Sequence, residues 1–540
     1  MASFDLRFRR SVRRRFPRLR LTRNRIVALA FAGGAALASG GWLIRPGPAA
    51  APGASAYAKA RVFEEALMLL RAHAVDTLNE GDLYLQATEG VVKSLHDPWA
   101  ALLVGDSYDH FKARLDGMVP GVGLDVETRG SSLRVARTVP GSPAQRAGLG
   151  AGDRLLAVDD STTDGWSVER LRDALRGPDG STVRLVVERP GGDSAFAVAL
   201  KRSPVREPAV RPGLMLGDGI GYLAVTAING RAADELAQEI DALASQGLRG
   251  LVIDLRGNPG GLVQEGTRLA DLFLDPGQIA AVTEGREREV FRARRTQRWP
   301  DLPLAVLVDG ATASAAEVVA AAWQDHDRAI VLGTATFGKG VVQRTYPLSD
   351  DAALRFTTAR WYAPSGRWIQ RGSMPSAKSY TSDAGRPLPA GVGIVPDTVV
   401  LPAPATDAER AYGVVVGQDL PAYDDALAVI AAHLVSNGEV AGDTATVTPR
   451  MRAMLFQRLQ GSGLHVSGPL FTAAAGAVDR DLGSAMTRAA FGSKAALKRR
   501  LAADEQVEAA RALLVAHPTP RAVLTLRAGS AGGLESGAAQ

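Results

Sequence analysis

The sequence predicts a multidomain α/β protein, with a β-rich module ahead of a larger α/β core, helical regions at both ends and one N-terminal transmembrane helix. Three observations predict this. The 540 residues exceed what one hydrophobic core serves, so several domains are expected. Between Gly221 and Gly333, strand-like apolar runs alternate with helix-period segments, the pattern of a sheet layered with helices. Nineteen uncharged residues, Ile26 to Ile44, follow a tail dense in arginine.

A composition 46% hydrophobic and 22% charged is that of ordinary globular protein, so disorder is not the default. The formal charge of +6 suggests a polyanionic partner until it is located. Ten arginines stand in the first 25 positions against one acid, Asp5. Removing that tail from the 63 basic and 57 acidic residues leaves 53 and 56, a net of −3, so no nucleic-acid partner is expected. The absence of cysteine excludes disulfides, thiolate metal sites and a Cys nucleophile.

Residues 1–25 read as a basic cytoplasmic tail and 26–44 as the span, since nineteen helical residues cover about 28 Å, near the thickness of a bilayer's hydrocarbon core. The positive-inside rule then places everything after Arg45 on the periplasmic or extracytoplasmic side of the inner membrane. Cleavage after Ala36-Leu37-Ala38, releasing a secreted periplasmic protein, is the competing reading, and Arg13-Arg14-Arg15-Phe16 loosely matches a twin-arginine signal. Residues 45–56 are rich in Pro, Ala and Gly and read as a linker, and 57–118 show helical spacing in Val62, Leu67 and Leu70. Residues 119–204 turn strand-rich, with one helical stretch from Ser167 to Leu175. The α/β core occupies 205–402, and 403–540 is a helical extension ending in a small-residue tail that reads as disordered.

Chemistry is sought where core strands end. Ser314 follows the run Leu304 to Val308 and opens a helix, beside unpaired N–H groups and a positive dipole end that suit a developing oxyanion. Ser314-x-x-Glu317 is equally a capping box, and this segment alone favours the cap over a nucleophile. A nucleophilic Ser needs a base in reach. His326, twelve residues on, lies about 18 Å along a continuous helix and is out of range.

Lys339 is the better partner. It stands between Gly338 and Gly340 with Phe337, Val341 and Val342 around it, and desolvation of that kind lowers a Lys pKa toward the range of a base. If Gly340 to Tyr346 is a strand, Lys339, Val341 and Gln343 share a face, and the Gln343 amide is placed to orient the amine. Gly333-x-x-x-x-Gly338-Lys339 is most of a phosphate-binding loop, but Gly340 replaces the hydroxyl that would bind magnesium and a strand continues where a helix should start. No metal or cofactor is expected. The segment Asp254 to Gly261, LRGNPGG after its Asp, follows a buried strand and offers exposed backbone N–H groups as a second wall of an oxyanion hole, or a simple strand-to-helix turn.

The segments GYLAVTAI, LVIDLRGNPGGL, DGATASAAEVVAAAWQDHDRAIVLGTATFGKGVVQ, LRFTTARWYAPSGRWIQ and GVGIVPD occur in an order that resembles the carboxyl-terminal processing peptidases, or tail-specific proteases, from about Phe63 to Val400. The resemblance implies a crotonase-like (ClpP-like) core, a Ser-Lys mechanism with Ser314 as nucleophile, Lys339 as base and Gln343 positioning it, and an oxyanion hole from the amides of Ala315 and of Gly260 or Gly261. It also implies that 119–204 is PDZ-like, with Gly121-Val122-Gly123-Leu124 at the carboxylate-binding loop. Substrates would be proteins or peptides with free C-termini, which add as a strand to the module's edge. A catalytically inactive relative, acting as a PDZ peptide-binding scaffold at the membrane, is the alternative. Gly257 stands where the family often has Asn. The extension 403–540 is loosely covered, and a homo-oligomer contact, a regulatory partner or a cap on the protease stay open for it.

Overall fold

A computed structural model describes residues 52–524 apart from 130–131, 190–193, 295, 374–377 and 443–444. The basic tail, the candidate span 26–44, the first part of the linker and the C-terminal tail lie outside the described residues. Among those described, no helix is long and apolar enough to cross a membrane.

The chain divides into compact units at 1–90 and 91–540. In the first, a helix runs over Pro52–His73, so the end of the stretch read as a linker is helical. Pro52 at the first turn lacks only an N–H that has no partner there. The spacing of Val62, Leu67 and Leu70 does form a helix, although Val62 and Leu70 are exposed. A second helix, Glu80–Ser94, follows.

The second unit begins with a departure from the helical reading of 57–118. Ala101–Val104 is a strand, paired antiparallel with Ala352–Arg355 of the long strand Ala352–Tyr362. A four-residue apolar run declares no period by itself, and its partner lies far along the chain. That long strand also pairs with Gly277–Glu284 and with Val341–Pro347 in a five-stranded sheet.

The β-rich module is a six-stranded antiparallel sheet with Leu124–Arg129 at one edge, and Met118–Gly121 pairs with Ser203–Arg206 at its base. Its helix spans Val168–Leu175, and Ser167 caps it by accepting from the Arg170 N–H at 3.1 Å. Val122, Val135, Leu155, Leu171 and Leu185 fill its core.

The α/β core is a six-stranded sheet in which Ile220–Ala224, Gly250–Asp254, Leu304–Val308, Ile330–Gly333 and Thr398–Val399 run parallel, with Leu214–Gly217 antiparallel at the edge. All five residues of Leu304–Val308 are buried because both faces are covered, as parallel sheets require. Leu304, Val306 and Val308 face the helices Ala232–Ala244, Val263–Asp271 and Ala315–Asp325. Ala305 and Leu307 face the opposite way, onto Leu501, Val507, Ala510 and Leu514 of the last helices, Ser493–Ala502 and Glu505–Ala516. The rest of the extension packs its own core, with Leu434, Leu455, Val478 and Leu482 at its centre. It also grips the module: Asp425 accepts from the Ser167 N–H and Arg170 Nη1, each at 2.6 Å, and Arg488 pairs with Glu169 at 3.0 Å.

Candidate active site

The loop after Leu304–Val308 is wound tightly by Asp309, whose Oδ1 accepts from the N–H groups of Ala311, Thr312 and Gly257 at 2.9 to 3.0 Å. The Thr312 hydroxyl donates to Leu255 O at 2.9 Å and the Ala313 N–H to Asn258 O at 2.9 Å. These bonds hold the Ser314 loop against the segment Asp254 to Gly261. Ser314 then takes φ 56°, a left-handed conformation uncommon for a non-glycine residue, at the N-cap of Ala315–Asp325. Strain of this kind persists only where surroundings over-determine it, and it collects at functional sites. Ser314 and Glu317 have the layout of a capping box, yet Ser314 makes no side-chain cap hydrogen bond. The bond formed is the reverse half, from the Ser314 N–H to Glu317 Oε2 at 2.8 Å.

Glu317 is fully buried and accepts three further donors: the Thr336 hydroxyl at 2.6 Å, the Gly338 N–H at 2.7 Å and the Lys339 N–H at 2.9 Å. Burial pushes its carboxyl above the ordinary range, against these four donors, which favour the charged form. One carboxylate thus ties the Ser314 turn to the Lys339 loop. That loop is further fixed by the Phe337 N–H on Thr312 O at 3.0 Å and by Trp361 Nε1 on Lys339 O at 2.8 Å. Gly340 admits close backbone approach, since a Cβ there would stand 2.6 Å from Trp368 Nε1.

The Lys339 amine is half-buried and makes no hydrogen bond among the described residues; it faces the Trp99 ring at 4.1 Å from the centroid. Desolvation lowers its pKa to about 8, helped by the nearby Arg355 charge and opposed by Asp97 and Glu317. Trp99 in turn meets Phe337 edge-on, with centroids 5.8 Å apart.

The expected strand forms at Val341–Pro347, so Lys339 precedes it, and a bulge between Val342 and Gln343 breaks the alternation on which a shared face depends. The Gln343 amide bonds to Thr357 Oγ1 at 3.2 Å instead of to the amine. Thr357 is held by Asp97, which accepts from its N–H at 2.7 Å and its hydroxyl at 3.1 Å. Burial works to raise the Asp97 pKa, but the hydrogen bonds from Thr357 and Trp99 and the Lys339 charge bring it below the usual carboxylate value. Asp97, Trp99, Thr357 and the bridging role of Glu317 were not read from sequence. Glu317 had a signal, the S-x-x-E spacing, while Asp97-Pro98-Trp99 carries none by itself.

Gly260 lies directly against the Ser314 turn: at φ 89°, a Cβ on it would meet Ala313 O at 2.6 Å and Ser314 Cβ at 2.9 Å. Its own N–H donates to Asn258 Oδ1 at 2.8 Å. The N–H groups of Gly261 and Ala315 have no such bond among the described residues. His326 closes the Ser314 helix on the far side, between Asp383 and the Gln278 carbonyl.

Gly121, Val122, Gly123 and Leu124 line a cavity of about 820 Å³ between Leu124–Arg129 and Val168–Leu175 of the β-rich module. Across it stand core residues, among them Leu214 and Tyr222, and the start of the helix Ser493–Ala502.

Residues 219–379 match the model of peptidase family S41 and residues 134–189 that of the PDZ domain. A carboxy-terminal-processing protease of Bartonella bacilliformis is 30% identical over 392 residues, covering 66% of this chain and 85% of that one. The carboxyl-terminal-processing protease of Picosynechococcus is 35% identical over 305 residues, covering 55% and 73%. Among solved structures, a photosystem II D1 C-terminal processing protease matches with 26% identity and a TM-score of 0.36, over 66% of this chain and 97% of that one. At such identity and coverage, the chain belongs to the carboxy-terminal processing proteases of peptidase family S41 and is a serine-type endopeptidase.

Proposed function

We propose that the protein cleaves C-terminal regions of exported proteins through a Ser314–Lys339 acyl-enzyme, selecting substrates by their C-termini in the PDZ cavity. The observation that carries this reading is the Lys339 amine, brought to about 8 and held on a loop that shares a buried carboxylate with Ser314. At neutral pH and above, a usable fraction is unprotonated and can act as a base. The amine accepts the Ser314 proton as Oγ bonds to the scissile carbonyl carbon. The C–N bond then breaks as the ammonium returns that proton to the leaving amine. Water, giving its proton to Lys339, hydrolyses the ester and releases Ser314 and a new carboxylate. The Ala315 N–H and that of Gly261, which has no partner among the described residues, are the donors assigned to the oxyanion, each worth about 3 kcal/mol in the transition state. Gln343 acts on the amine at one remove, through Thr357 and Asp97.

The strand order and the covered parallel sheet support a crotonase-like core. The apolar run 26–44 and its arginine flank support an inner-membrane anchor with the catalytic part on the periplasmic side. Mass measurement of the mature N-terminus tests the anchor, and a start at Ser39 replaces it with a secreted protein. For the mechanism, Ser314→Ala and Lys339→Ala are each expected to abolish cleavage of a peptide with a free apolar C-terminus while keeping the parent's melting temperature. Undiminished cleavage by either variant ends the Ser-Lys assignment.

A further inference from the structure

We infer that the C-terminal extension completes the PDZ cavity and makes it selective for protein tails that carry acidic side chains just before an apolar C-terminal residue. The inference rests on the peptide-binding reading of that cavity and goes on to specify its ligand.

The floor is apolar, with Val122, Leu124, Val126 and Leu175 placed to take an apolar terminal side chain. The walls are not. Seven cationic side chains line the cavity against three acids, Asp125, Glu127 and Glu207. Asp125 is already paired with Arg137, and Glu207 with Arg211 at 3.3 Å. Four cations have no ion pair among the described residues: Arg172 on the PDZ helix, Arg206 at the end of the strand Ser203–Arg206, and Lys494 and Arg500 on the helix Ser493–Ala502 across the cavity. A single terminal carboxylate does not match this excess of positive charge. A tail with one or two further carboxylates does, and complementary potential of this kind sets specificity and capture rate more than raw affinity.

The extension is built into this site. Ala475–Phe491 packs on the edge strand Leu124–Arg129, and Leu420–Ser436 packs on the helix Val168–Leu175, so both sides of the groove are held by it. The pairs from Asp425 to Arg170 and from Arg488 to Glu169 fix that arrangement. Lys494 and Arg500 therefore face the groove from a wall that the PDZ module does not itself supply.

The test uses the full chain carrying Ser314→Ala, to prevent turnover, and fluorescent peptides of one length ending in the same apolar residue, preceded by two Glu, two Gln or two Lys. The Glu peptide is expected to bind about tenfold more tightly than the Lys peptide at low salt, because each exposed ion pair contributes a few-fold, and the gap should shrink as salt rises. Adding Lys494→Glu with Arg500→Glu should erase the preference while binding still requires a free C-terminus. Arg172→Glu should weaken the preference from the PDZ side, which guards against a folding defect in the helix variant. Equal affinities for the three peptides, each lost on C-terminal amidation, would overturn the acidic preference and leave the PDZ reading standing. A preference unmoved by the Lys494 and Arg500 changes would overturn the part assigned to the extension. Binding indifferent to amidation would overturn both the inference and the reading beneath it.

Discussion

Ser314 and Lys339 donate their backbone N–H groups to the same oxygen, Glu317 Oε2, at 2.8 and 2.9 Å. The candidate nucleophile and base come from different loops, each following a parallel strand of the core sheet, and their main chains are registered by a third residue whose side chain never reaches solvent. The positions of the two functional groups thus depend on one buried carboxylate with four donors.

Glu317→Gln keeps the shape but sets an NH2 group against N–H donors. Leaving buried donors unsatisfied costs about 1–3 kcal/mol each. We expect a lower melting temperature and a fall in kcat of about 100-fold, the scale of a misplacement near 1 Å. Measuring kcat beside thermal unfolding checks this, and a variant with normal kcat would deny Glu317 its bridging role.

The pH dependence of kcat/KM should rise with a midpoint near 8, since only the deprotonated Lys339 amine accepts a proton. Two substitutions should move that midpoint in opposite directions. Asp97→Asn removes a negative charge that favours the ammonium, so the midpoint falls. Trp99→Ala admits water to the amine and relieves the desolvation that lowers its pKa, so the midpoint climbs toward the ordinary Lys value. Profiles that coincide with the parent's would show that neither residue acts on Lys339.

Gly260→Ala places a methyl group 2.6 Å from Ala313 O at a backbone angle of 89° that L-residues rarely adopt. Strain at such an angle costs about 1–3 kcal/mol. Relief requires the Ser314 turn to move, so activity should drop steeply while the PDZ cavity still binds peptide. Cleavage and peptide binding, measured on one preparation, separate the two effects.

Much of the core was legible because the chemistry is local. The strands at Gly250–Asp254 and Leu304–Val308 and the helix after Ser314 begin and end close to where apolar period and punctuation place them. The helical stretch from Ser167 to Leu175 was likewise readable, with Ser167 turning out to be its cap. Residues whose partners are distant in sequence were not. Asp97 meets Thr357, and Ala101–Val104 finds its strand at Ala352, through sheet closure that no local spacing encodes. The bulge at Val342 defeats a face argument based on strict alternation. Glu317 was visible only as a capping partner, because spacing shows a bond within one helix and not the three that reach another loop.

Asp425→Ala should loosen the PDZ module from the extension. Its carboxylate is mostly shielded and holds both the Ser167 N–H and Arg170. Faster amide exchange in Val168–Leu175 with little change in the core strands is the expected result, and uniform exchange across the chain would assign Asp425 a global role instead.

The far face of the catalytic sheet is covered by the last helices of the chain. On a ribosome, a polypeptide made as far as Pro402 already contains every residue assigned to the reaction, yet the strand that leads to Ser314 still lacks its second layer. Ala305 and Leu307 wait, bare, for Val507, Ala510 and Leu514 to emerge. A truncated product would carry the catalytic residues and every strand of the core sheet without the helices that cover its far face. In a cell, release of an unfinished chain therefore gives an incomplete fold before it gives a stray protease.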